Sequence, residues 1–67
     1  MSAEDRSRAL DLLARAEALV TIADPEEATA ALSATRLNWA ELQADAEVDE
    51  ALSQRFDAAS DAVREAI

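Results

Sequence analysis

The chain has 67 residues, with 15 acids against six Arg, no Lys and a net charge of −9 at pH 7; that bounds one small domain, burying about 60% of its unfolded surface around one thin core. Cys, His and Tyr are all missing, which removes thiolate and imidazole metal ligands, disulfides and the usual proton shuttles, so no catalytic, cofactor or metal site is expected. The charge opposes binding to nucleic acid or anionic lipid, no apolar run nears the roughly 20 residues of a membrane span, and "MSAEDRSR" lacks the apolar stretch of a signal peptide, which together predict a cytoplasmic chain.

Ala at 18 positions, no Gly and one Pro favour helix throughout and leave almost no β-branched or aromatic material for strands. In "AEDRSRALDLLARAEALVTIA" the residues Ala9, Leu12, Leu13, Ala16, Leu19, Val20 and Ala23 fall on one helical face. On the opposite face Glu4 precedes Arg8 and Asp11 precedes Arg15 by one helical turn, pairs worth about 0.2–0.5 kcal/mol each. A first helix is expected over 3–23. "DPEE" then starts a second over 25–43, with Asp24 as N-cap, Pro25 at the first helical position and Glu27 as the reciprocal half of a capping box. Its stripe runs Ala28, Leu32, Thr35, Trp39 and Leu42, where Thr35 sets a hydroxyl in place of a larger aliphatic. The pattern loses phase in "QADAEVDE", which puts the second turn between Gln43 and Glu47 with Asp45 as cap. A third helix follows over 47–66, with the stripe Val48, Leu52, Phe56, Ala59, Val63 and Ala66.

Three amphipathic helices with two short connections bury their stripes best as an all-α, antiparallel three-helix bundle. Its expected core is Leu12, Ala16, Leu19, Leu32, Trp39, Leu42, Leu52, Phe56, Ala59 and Val63. The alternative is a long helical hairpin that dimerises to cover its apolar face. Stripes that close on one another predict a monomeric single domain over 1–67, or one repeat unit of a longer protein.

The run of Trp39, Leu42, Leu52, the pair Arg55-Phe56, Ala59 and Asp61 resembles the repeat of the bacterial domain-of-unknown-function family 349, and Leu12, Ala16 and Leu19 fall in similar phase in its first helix. The chain departs from that pattern at Thr35, where the repeat usually has Leu, and near Gln43, where it usually ends the second helix with Gly. The resemblance implies a helical repeat module and supplies no catalytic residue. Arg without Lys, together with abundant Ala, is also the usage of a GC-rich bacterial genome.

Two features invite chemistry and meet a plainer reading. Counted from Asp45 as an EF-hand loop, "DAEVDE" needs Gly at the sixth position and Glu at the twelfth, where the chain has Glu50 and Phe56; a solvated turn is expected instead. Asp57, Asp61 and Glu65, one turn apart, read as a solvent-facing row. Trp39 and Phe56, the only aromatic residues, are expected to meet in the core. Arg36 and Arg55 have no acid three or four residues away in their own helices, so each needs a carboxylate on a neighbouring helix or serves a partner. The expected function is a non-catalytic helical interaction or scaffold module, its partner a protein or neighbouring repeats. An acidic inhibitor or nucleic-acid mimic that occupies a basic site is the alternative.

Overall fold

The computed structural model describes residues 2–66. Among them lie three helices and no strand: α1 (Ala3–Leu19), α2 (Pro25–Asp45) and α3 (Glu50–Ala66).

α1 starts at Ser2, whose extended backbone turns its hydroxyl oxygen to accept the Asp5 N–H at 3.1 Å. This satisfies one of the free N–H groups at the helix start, which Glu4 and Asp5 further favour by their charge. The helix ends at Leu19, four residues before the expected Ala23. Val20, Thr21 and Ile22 are β-branched and stiff in a helix, and the Thr21 hydroxyl donates to the Ala18 carbonyl at 2.7 Å. The backbone N–H groups of Thr21 and Ile22 reach back only three residues, to Ala18 and Leu19, which tightens the last turn. The chain then swings Ile22 onto the core and leaves Val20 and Ala23, both expected on the buried stripe, exposed.

α2 begins where "DPEE" predicts. Asp24 is the N-cap, but its carboxylate accepts from the Glu26 N–H at 3.0 Å, so the cap closes on the second helical residue. Among the described residues Glu27 returns no bond to Asp24, and the reciprocal half of the expected capping box is not made. At its other end α2 runs through Asp45, beyond the expected stop at Gln43. Neither Gly nor Pro interrupts it, and Ala44 continues a helix readily. Asp45 is therefore helical and caps nothing. The break comes at Ala46, which turns extended while its N–H still reaches the Leu42 carbonyl at 2.8 Å. Ala46 and Val48 pack on the core from this turn, and the Asp49 carbonyl accepts from Leu52 and Ser53 to open α3 at Glu50 rather than at 47.

All ten residues of the expected core are buried, joined by Ala9, Leu13 and Ala28. They form two clusters. The larger unites Ala9, Leu12, Leu13 and Ala16 of α1 with Trp39 and Leu42 of α2 and Leu52, Phe56 and Ala59 of α3. The smaller joins Leu19, Ala28, Leu32 and Val63 at the other end. Trp39 meeting Phe56 and Leu32 meeting Val63 fix α2 and α3 as antiparallel. The aromatic planes lie 2° from parallel with centroids 4.3 Å apart. For a plane spacing of about 3.5 Å that geometry is a slipped stack, offset by roughly 2.5 Å, in which ring edges lie over ring faces.

The same register sets Thr35 level with Ser60, between the two clusters, and both are buried. Thr35 donates its hydroxyl to the Ala31 carbonyl at 2.8 Å, whereas the Ser60 hydroxyl has no partner. α1 packs along both other helices; α2 and α3 meet over a much smaller surface. The molecule measures 35 × 18 × 15 Å, and α2, at about 31 Å, runs nearly its full length.

Candidate functional site

Four of the six Arg residues hold carboxylates. Arg55 donates to Glu17 at 2.9 Å, tying α3 to α1, and Arg6 donates to Asp49 at 3.3 Å, tying α1 to the second turn. Arg8 sits 3.6 Å from Asp5 and Arg64 3.6 Å from Asp61, both three residues apart on one helix. The expected pairs Glu4–Arg8 and Asp11–Arg15 are not formed. Arg8 takes Asp5 instead, which lies on the α1 face beside it. Among the described residues Arg15 and Arg36 have no carboxylate within 4 Å. Of the two Arg residues singled out in the sequence, Arg55 is thus engaged within the chain and Arg36 is free.

The acids are spread over the surface. Asp57, Asp61 and Glu65 are exposed along α3, and Asp45, Glu47, Asp49 and Glu50 are exposed around the second turn. Among the described residues no three acids converge as a metal site would need. The clefts between helices are shallow and mixed in charge: Arg8, Asp11, Arg15, Asn38 and Glu41 line one between α1 and α2, and Arg36, Asp57, Ser60, Asp61 and Arg64 line one between α2 and α3. Ala66, expected on the third stripe, is exposed, because the core has closed one turn earlier at Val63.

The outward side of α2 carries a long uncharged stripe with an exposed Leu at its middle. At 3.6 residues per turn, Ala30, Ser33, Leu37, Ala40 and Ala44 lie roughly 180° around the helix from the buried stripe of Ala28, Leu32, Thr35, Trp39 and Leu42. All five outward residues are exposed, Leu37 at 67%. Their spacing alternates between three and four residues, the pattern of a helix-pairing seam. Arg36 is the only charge between Glu27 and Glu41. Two open depressions follow the face, one along Pro25, Glu26, Thr29 and Ala30, the other along Ser33, Arg36 and Leu37. Arg36 borders the seam on the α3 side and Glu41 on the α1 side. This second stripe is faint in the sequence because small residues read as filler. The signal that marks it is the gap in charge.

No family model, no curated protein and no solved structure matches the chain.

Proposed function

We propose that this chain is a non-catalytic interaction module of a cytoplasmic bacterial protein, and that it works through the outward face of α2. One observation carries the reading: Leu37, 67% exposed, stands mid-way along an uncharged stripe on a helix whose opposite side already builds the core. A lone exposed Leu is ordinary on a protein surface. Leu10 and Val20 are also exposed, yet Leu10 shares its helix face with Arg6 and Val20 ends a helix. Leu37 has only small uncharged neighbours along its seam, so a partner helix can approach closely and bury it without desolvating a charge.

A repeat module, as the resemblance to family 349 implies, would use such a face in the same way, since helical repeats bury their outer faces against neighbours. An acidic mimic is less well supported, since a mimic needs its carboxylates gathered on one face and here they decorate all three helices.

A photo-activated cross-linking residue at position 37, compared with the same residue at exposed position 62 on α3, tests the proposal in cells. Protein adducts at 37 that are missing at 62 support it. Equal adducts at both positions, or none at 37, remove the outward face of α2 as the working surface.

A further inference from the structure

We infer that the occupant of this face is a second copy of the chain, paired through α2 in parallel and in register. The inference deepens the proposed function and rests on it. Ala30, Ser33, Leu37, Ala40 and Ala44 take the two seam positions of successive heptads. Arg36 then flanks the seam on one side just before Leu37, and Glu41 flanks it on the other just after Ala40. In a parallel pair the flank preceding one heptad faces the opposite flank of the next heptad on the partner helix, a separation of five residues, and 36 to 41 is that separation. Arg36 of each copy meets Glu41 of the other, twice over by symmetry.

Within one chain neither group has an ion-pair partner among the described residues. The two stand on opposite edges of one uncharged seam: Arg36 shares a cleft with Asp57 and Asp61, and Glu41 one with Arg8 and Arg15, yet neither comes within 4 Å of an opposite charge, and each is left to pair with the second copy. An antiparallel pair centred on Leu37 sets Arg36 against Arg36, so the charges select the parallel arrangement. Glu26 lies on the same face at the start of α2 and would meet its own copy there, which makes Ala30 the first residue of the contact. Small seam residues allow close backbones but bury little area, so the contact stands at the low end of specific interfaces, with a dissociation constant on the order of 0.1 mM. The monomer expected from the closed core holds below that concentration; the second face of α2 lies outside that expectation.

Sedimentation equilibrium from about 5 µM to about 1 mM tests the pairing. The wild type is expected to pass from monomer to dimer over this range. Arg36→Glu and Glu41→Arg should each weaken association roughly tenfold, since each reversal turns two attractions into two repulsions, and the double reversal should restore it. Leu37→Ser should leave a monomer throughout. Circular dichroism should report wild-type helicity for all four variants, because every altered side chain is exposed. Glu41→Arg is the discriminating variant: it lowers the chain's negative charge, so general repulsion predicts stronger association where the specific pair predicts weaker. A wild type that stays monomeric, a Glu41→Arg chain that associates more tightly, or a double reversal without recovery overturns the inference. A monomeric wild type whose position 37 still cross-links a different protein would overturn only the second copy and leave the interaction surface standing.

Discussion

Ser60 is the one buried side chain that the helical pattern gives no reason to bury, and the only described buried polar atom left without a partner. A buried hydroxyl left without a hydrogen-bond partner within the chain costs about 1 kcal/mol, and Ala is also the better helix former by about 0.5 kcal/mol. Ser60→Ala should therefore raise stability by about 1–1.5 kcal/mol, seen as a higher thermal midpoint; a lower midpoint would mean that the hydroxyl is satisfied. Thr35 shows the opposite case. Its hydroxyl is already bonded one turn back to Ala31, so the misfit expected from its chemistry is absorbed within α2. Arg55 and Glu17 are about half exposed, and water screens such a pair to about 0.2–1 kcal/mol. Arg55→Ala should lower the midpoint only slightly, and a loss comparable to that of a core residue would show its stem to be part of the packing.

Within α2 one face folds the chain and the other is left over. The inward face ends in the Trp39–Phe56 stack, and in so thin a core the loss of either ring should cost about 3–5 kcal/mol, close to the whole stability of a small domain. Trp39→Ala and Phe56→Ala should each largely unfold the chain in circular dichroism melts. A folded Trp39→Ala protein would refute the core assignment. The parts of this helix that announce themselves in the sequence are those with distinctive residues: Asp24-Pro25 marks its start, and Leu32, Trp39 and Leu42 mark its buried side. Its end is hidden because Ala44 and Asp45 lack the Gly or Pro that stops a helix, and the end is set by packing, where Ala46 and Val48 must turn inward. The early end of α1 is legible only in the β-branched run Val20-Thr21-Ile22, a weak signal beside the apolar period it interrupts. The outward stripe is hidden for a different reason: Ala and Ser fit a surface and a helix seam equally well, so only the scarcity of charge around Leu37 distinguishes them.

Across the whole molecule, charge and shape act in opposite directions. A net charge of −9 at pH 7 on so small a body repels itself, and the four ion pairs among the described residues all lie at the surface. Added salt should raise the thermal midpoint by screening the repulsion, with a Debye length of about 8 Å at physiological ionic strength; a clear fall with salt would show that the pairs outweigh it. The outward face of α2 carries one charge, Arg36, between Glu27 and Glu41, so two copies can approach there with little like-charge repulsion. Folding and pairing thus use opposite sides of one helix, and they separate in a single measurement, the thermal midpoint of wild type and Leu37→Ser as concentration rises. Ligand-linked stabilisation predicts a wild-type midpoint that is flat at low micromolar concentration and climbs as it passes about 0.1 mM. Leu37→Ser should start only slightly lower, by the few tenths of a kcal/mol that Ser costs a helix relative to Leu, and stay flat. A wild-type midpoint flat to about 1 mM, or a Leu37→Ser chain that melts well below wild type at every concentration, would contradict the division of α2 into a folding face and a pairing face.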